Sequence, residues 1–294
     1  MTGPESAPDR SLHRPATHDP RSTAFPCDTH THTARCGHAT GRDDEFVEAA
    51  VACGLGAIAV TDHLPFYWLP REEHDLSLAM PPEELPRYVD AVLELKERNR
   101  GRIEVLLGIE ADFVEGFEGE LADQLARYPF DVVLGSEHWL DGWCVDDASS
   151  IPRYQQGRAE VDRIWTRYAQ AVVAAARSGL FDVLAHLDLP KKFGFRPSEA
   201  FAGREADVVE AVAASGCAVE LSSGGLRKPV GEEYPGPGLL RRLVAAGAPL
   251  VLSSDAHAPA EVGFGFGDLV ASAVAAGARE TLVFRGRRRT PVPL

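Results

Sequence analysis

The chain has 294 residues, 45% hydrophobic and 25% charged, long enough to bury one large core. A formal net charge of −14 speaks against a protein that tracks a nucleic-acid backbone, a task that calls for a basic face. No uninterrupted apolar run is long enough to span a membrane, and Met1 to Phe25 lacks the apolar core of a signal peptide. The five cysteines (Cys27, Cys36, Cys53, Cys144 and Cys217) form no CxxC pair and read as reduced thiols, so the expected location is the cytoplasm.

Residues 1–24 are polar, aperiodic and rich in Pro, Ser, Thr, Arg and Asp. They are expected to be a disordered extension, carrying His13 and His18 out of the argument. Residues 25–294 are expected to form a single domain. It begins with an apolar lead-in, Phe25-Pro26-Cys27, that runs into Asp28-Thr29-His30-Thr31-His32-Thr33. At a strand end, the i, i+2 spacing turns both imidazoles to one face, which is a metal site in outline. His38 follows in a glycine-containing loop. Cys27 and Cys36 lie close by in sequence, but small buried hydrophobes are the better reading of both.

Strand and helix then alternate. Asp43 to Cys53 reads as a helix, and Ala57 to Val60 as a buried strand ending in Thr61-Asp62-His63. Leu64 to Pro82 is a long connection, containing His74, that could wall the site. A helix over Glu83 to Arg98 precedes a strand over Ile103 to Ile109, which ends at Glu110-Ala111-Asp112. A helix over Leu121 to Tyr128 leads into the strand Phe130 to Leu134, ending in Gly135-Ser136-Glu137-His138. The helix Ala159 to Arg177 is followed by the strand Phe181 to Ala185 and then His186-Leu187-Asp188. The helix Arg204 to Ala214 is followed by the strand Ala218 to Leu221 and then Ser222-Ser223-Gly224-Gly225. The helix Gly238 to Ala246 and the strand Pro249 to Leu252 lead to Ser253-Ser254-Asp255-Ala256-His257. A last helix, Leu269 to Ala276, and a short strand, Thr281 to Phe284, precede the basic run Arg285 to Arg289, read as a solvated end. Near-continuous apolar strands alternating with helices predict an α/β fold with a parallel sheet covered on both faces. Seven such units close naturally into a barrel. An open doubly wound sheet is the alternative, but no GxGxxG or P-loop supports it.

His30, His32, His63, Glu110, His138, His186, Asp255 and His257 all fall at carboxyl ends of expected strands, with His38 in the first loop. In a parallel barrel those ends meet on one face. So many titratable groups on one face would be costly to bury without metal ions. They are also too many for one ion, so two or three divalent metals, Zn, Mn or Fe, are expected, with Glu110 and Asp255 as the natural bridging carboxylates. Such a site suits phosphoester hydrolysis, in which one metal generates hydroxide near neutral pH and its neighbours hold phosphoryl oxygens. Ser222 to Lys228, with two glycines and Arg227, is a candidate phosphate loop to which Ser223 and Lys228 belong. Lys191 and Lys192 are a second cationic pair.

The ordered motifs Asp28-Thr29-His30-Thr31-His32, Thr61-Asp62-His63, Gly108 to Asp112, Gly135 to His138, His186-Leu187-Asp188 and Ser254 to His257 resemble those of the polymerase-and-histidinol-phosphatase (PHP) superfamily. Ser178 to Asp182, Lys192-Phe193-Gly194, Leu226 to Pro229 and Tyr234-Pro235 are similar to its histidinol-phosphatase branch. The resemblance covers roughly residues 26–267. It implies a distorted (β/α)7 barrel with a trinuclear centre: one metal on His30, His32, Glu110 and Asp255, a second on Glu110, His138 and His186, and a third on His38, His63 and His257. It implies hydrolysis of L-histidinol phosphate to L-histidinol and phosphate. Asp255, His257 and Arg227 are the expected catalytic residues, and Arg227, Lys228, Lys192 and Ser223, from the loop and the lysine pair above, the expected phosphate-binding ones. Ser222-Ser223-Gly224-Gly225 stands where an Asn-Thr-Ser-Gly-like turn is expected, and Glu137 where the branch has Val. Both departures bear on substrate preference. The other readings are a PHP phosphoesterase for a different small phosphate or nucleotide, a metal-dependent amidohydrolase, and a non-catalytic regulatory domain. An amidohydrolase would lack the Arg227-Lys228 loop, and a regulatory domain would have lost ligands.

Overall fold

The computed structural model describes residues 25–294, so the expected disordered extension with His13 and His18 lies outside the described residues. Seven parallel strands run in chain order around a nearly closed barrel: β1 (Phe25–Asp28), β2 (Leu55–Val60), β3 (Glu104–Asp112), β4 (Val132–Ser136), β5 (Val183–Leu184), β6 (Ala218–Ser222) and β7 (Leu250–Ser253). Just beyond the end of β1 the chain meets β7 and the residues after it. The Thr29 N–H donates to Leu252 O at 3.0 Å and the His32 N–H to Ala256 O at 2.8 Å. The helices α1 (Asp43–Ala52), α2 (Leu85–Arg98), α3 (Glu118–Leu125), α4 (Arg158–Ser178), α5 (Ala202–Ser215), α6 (Pro237–Ala245) and α7 (Phe266–Ala276) lie in the connections and after β7.

Alternation along the strands explains both the core and the site. Cys27, Ala57, Ala59, Leu106, Val132, Leu134, Val183, Ala218 and Val251 form the barrel interior. Small residues are frequent because seven strands leave little room inside. At Gly108 a Cβ would land 2.4 Å from Thr61 Cγ2, which requires glycine there. Continuing each strand at a period of two brings His63, Glu110, Asp112, His138, Glu220 and Asp255 to the same inner face, nearer the carboxyl end. The opposite faces of the strands, with Ile58, Val105, Leu107, Val133 and Leu252, pack against the helices. Helix α2 shows how that shell is made. Leu85, Tyr88, Val89, Val92 and Leu95 form one buried stripe, and the Tyr88 hydroxyl lies 2.7 Å from Val60 O and from Gly108 O.

The expected short final strand is present as Glu280–Arg285 (β8), outside the seven-stranded sheet. It pairs antiparallel with β9 (Arg288–Pro293), and Leu282, Val283 and Phe284 join the barrel interior. The basic run is solvent-exposed, as expected, but it is part of a paired hairpin rather than a free end. Arg285 holds Glu104 through two bonds of 2.6 Å, and Arg287 pairs with Asp182 at 2.9 Å. The run escaped a strand assignment because exposed arginines and Pro291 and Pro293 break the apolar pattern, which an edge strand tolerates. A second hairpin, Trp139–Leu140 with Trp143–Cys144, was not expected and follows directly on His138.

Candidate metal centre

The strand ends bring all nine expected donors together around one cavity of about 350 Å³ or into its wall. His38, His63 and His257 form one group, His30, His32 and Asp255 a second, and Glu110, His138 and His186 a third. Within each group the candidate donor atoms lie within 4.8 Å of one another. Glu110, only 1% exposed, connects the last two. Its Oε2 lies 3.2 Å from His30 Nε2, 3.4 Å from His32 Nε2 and 3.0 Å from His63 Nδ1, while Oε1 lies 3.1 Å from His186 Nε2. His32 stacks between His63 and His257, with centroids 4.5 and 4.4 Å away. Cys36 Sγ also comes within reach of His32 and His257.

These side chains fit divalent metal ions better than they fit one another. His30 Nε2 faces His32 Nε2 at 2.9 Å, and His257 Nε2 faces His38 Nε2 at 3.1 Å, so two lone pairs meet wherever neither Nε2 carries a proton. His32 Nδ1, His186 Nδ1 and Glu110 Oε2 are buried without a hydrogen-bond partner among the described residues. Imidazole with carboxylate is the donor set that Zn²⁺, Mn²⁺ and Fe²⁺ share. Two of the residues hold positive φ, His186 at 29° and Asp255 at 53°. A non-glycine backbone adopts that only where its surroundings impose it.

The charges are strongly coupled. Burial pushes the Glu110 carboxyl up, but His30, His63 and His138 outweigh it and hold the group well below the usual range. Burial likewise raises Asp255, and contact with His32, His257 and His30 brings it well below. His138 is pulled down by burial, yet Asp112 and Glu110 push it up to about 10. His257 is lowered to about 4, chiefly by burial.

A second layer fixes the donors. Asp112 Oδ1 lies 3.0 Å from His138 Nδ1 and accepts the His138 N–H at 3.0 Å. Asp28 accepts from the Ser254 N–H and from Gly263 N–H, which ties the first strand end to the last, and burial raises its carboxyl to about 6. Sequence reasoning missed Glu220. This fully buried carboxylate sits 2.5 Å from His30 Nδ1, takes the Ser253 hydroxyl at 2.7 Å and accepts the His186 N–H at 2.8 Å. The available signal was a lone glutamate in the apolar strand Ala218-Val219-Glu220-Leu221, at the inward parity.

The expected phosphate residues divide. Lys228 and Lys192 line the cavity. Lys192 is committed to Asp146, donating to its backbone oxygen at 2.7 Å and its carboxylate at 2.8 Å. Arg227, expected on the phosphate and among the catalytic groups, is turned the other way. Its Nη2 donates to Ser254 O at 2.8 Å and Asp255 O at 2.9 Å, and its Nε lies 3.3 Å from Glu261. These contacts hold it on the backbone at Asp255. The Ser223 hydroxyl is buried without a partner among the described residues and does not line the cavity. In the long connection, Phe66 and Leu78 do wall the site, whereas His74 bonds to Leu69 O. Glu137 does not line the cavity and is buried with both oxygens unpartnered among the described residues. Burial first, then Asp112, raises its carboxyl well above the usual range.

Lys191, fully buried, turns its ammonium to Asp188, Glu232 and Glu233 O, each at 2.7 Å. Burial raises Glu232, but Arg196 and Lys191 bring it down to about 2 from an ordinary 4.5. A depressed carboxylate contributes stability that is complete above its unfolded pKa and is lost as pH falls through the folded one. The stability difference between wild type and Glu232→Gln, measured by urea unfolding, is therefore expected to hold steady above pH ~5 and to shrink as pH falls below ~4. A difference that does not change with pH would remove this role.

A family model of the PHP domain matches residues 28–224, and the chain belongs to that family. A probable histidinol-phosphatase of Deinococcus radiodurans is 41% identical to it over 266 residues, covering 90% of this chain and 98% of the relative. The histidinol-phosphatase of Bacillus subtilis is 27% identical over 262 residues, covering 81% and 96%. Among solved structures, the histidinol phosphate phosphatase of Lactococcus lactis, complexed with zinc, L-histidinol and phosphate, matches with a TM-score of 0.77 at 22% identity. It covers 91% of this chain and 100% of that chain, and the likeness shows the fold.

Proposed function

We propose that the chain is a metal-dependent phosphomonoesterase that hydrolyses L-histidinol phosphate to L-histidinol and phosphate, a step of histidine biosynthesis in the cytoplasm. The observation that carries the reading is the three donor groups around one cavity, two of them joined by Glu110, with an uncommitted Lys228 in the same cavity wall. The relative of 41% identity along nearly its full length supports the choice of substrate. Among the described residues no helix is long and apolar enough to cross a membrane.

Two or three divalent ions, Zn, Mn or Fe, would be held by His30, His32, Glu110 and Asp255, by Glu110, His138 and His186, and by His38, His63 and His257. Such ions supply a water of lowered pKa and positive charge against the phosphoryl oxygens. The chain's own residues set the geometry. Lys228, with no ion pair among the described residues, offers its ammonium to the phosphate as the cavity's free cation. Asp112 orients the His138 ring, Glu220 orients His30, and Arg227 fixes the Asp255 backbone so that its carboxylate stays on the donor cluster. Phe66 and Trp139 give the cavity an apolar side.

The test is phosphate release from L-histidinol phosphate beside a panel of small phosphomonoesters, with metal content measured on the same sample. Strong preference for L-histidinol phosphate with two or three ions per chain is expected. Chelation is expected to abolish activity and lower the melting temperature, because a ligand bound only by the folded state stabilises it by mass action, and zinc or manganese should restore both. Protein that carries no metal and stays inert after metal addition would overturn the reading.

A further inference from the structure

A cavity equipped only to hold phosphate would accept any phosphomonoester small enough to enter. The acids of the wall decide what else it can recognise. Glu110 and Asp255 belong to the donor groups, and Asp112 faces His138. Asp146 accepts the Cys144 thiol at 3.1 Å and the Lys192 ammonium at 2.8 Å. Asp147 is different. It lines the cavity, is half-buried, and has no ion-pair partner among the described residues. Its Oδ1 caps the following turn by accepting the Ser149 N–H at 2.7 Å, and the Ser149 side chain, then this N–H, keep the carboxyl below its ordinary range.

The segment carrying Asp147 is tied down before any ligand arrives. Ser150 Oγ donates to Cys144 O at 2.5 Å, Tyr154 OH to Val145 O at 2.8 Å, and Lys192 Nζ to Asp146 O at 2.7 Å. A carboxylate presented by a pinned loop loses little freedom on binding, so its charge acts selectively. The same cavity carries an aromatic wall, in which Phe66 meets Trp139 edge to face at 5.8 Å.

We propose that Asp147 is a specificity determinant that binds the cationic end of the substrate, so that the enzyme selects phosphomonoesters of amino alcohols, carrying a phosphate and a protonated nitrogen in one small molecule. This rests on the phosphatase reading above. A phosphomonoester whose alcohol part is uncharged leaves Asp147 facing water, and one with a second anionic group is repelled.

The test compares L-histidinol phosphate with phenyl phosphate in wild type, Asp147→Asn and Asp147→Ser. Asn and Ser can still cap the turn, and Asn removes the charge at nearly constant shape. KM for L-histidinol phosphate is expected to rise roughly tenfold with kcat little changed, the scale of one lost charge-assisted hydrogen bond, while phenyl phosphate kinetics and metal content stay as in wild type. Asp147→Glu is expected to recover part of the loss. Equal losses on both substrates, or no loss on either, would overturn the proposal while leaving the phosphatase reading intact. Wild-type protein that hydrolyses phenyl phosphate but not L-histidinol phosphate would overturn the substrate reading and this inference together.

Discussion

Glu110→Gln is expected to lower kcat/KM by at least about a thousandfold, more than the loss of one ordinary transition-state contact, and to leave the protein short of more than one metal ion. The reason is position. Glu110 carries one oxygen toward His186 and the other toward His30, His32 and His63, so one carboxylate serves more than one donor group. Glutamine keeps the volume but turns one oxygen into an N–H donor and removes the charge that balances a ring of imidazoles. Metal analysis and circular dichroism on the purified variant check this directly. A folded variant that retains its full metal complement would show that Glu110 is packing and not a shared ligand.

The second large effect belongs to Glu220 and separates two consequences that usually arrive together. A carboxylate can only accept, so a neutral His30 beside it carries its proton on Nδ1 and leaves Nε2 free toward Glu110 and His32. In Glu220→Gln an amide N–H can face Nδ1 and favour the opposite tautomer, with a proton on the nitrogen that should bind metal. That variant is expected to fold with modest loss of stability and to bind metal about 10–100-fold more weakly. Glu220→Ala removes the acceptor for Ser253 and for the His186 N–H as well, and is expected to cost about 3–5 kcal/mol of stability besides. Competitive metal titration and urea unfolding of both variants give the two readouts. Should the Gln variant titrate like wild type, Glu220 has no part in setting the His30 tautomer.

The barrel was legible because its strands are apolar runs that end in histidine and carboxylate motifs, a pattern that survives errors of a few residues at element ends. Strand β5 shows the tolerance. Only Val183–Leu184 pairs in the sheet, yet the position of His186 was readable from the run before it. What sequence could not give was direction. Arg227 and Lys228 are adjacent and chemically alike, but one turns to the carbonyls of Ser254 and Asp255 and the other to the cavity. That choice is made by Glu261 and the Asp255 turn, far from residue 227 in sequence. Asp146 and Asp147 stayed hidden for another reason. They sit on an irregular hairpin extension with no periodicity to place it, and only the folded chain shows one of them paired and the other not. The C-terminal hairpin was missed because edge strands need no apolar alternation.

The seam between β1 and β7 has a bearing on the lifetime of the fold. Asp28 and Ser254, 226 positions apart, touch across it, and the donor group of His30, His32 and Asp255 takes ligands from both sides. Opening a barrel at its seam separates the two ends of the sheet at one stroke, so the seam is where an unfolding path would begin. With an ion held across it, that first opening must also break coordination. Occupancy would then slow the escape from the native state as well as shift its equilibrium, and the persistence of the folded chain would follow metal supply.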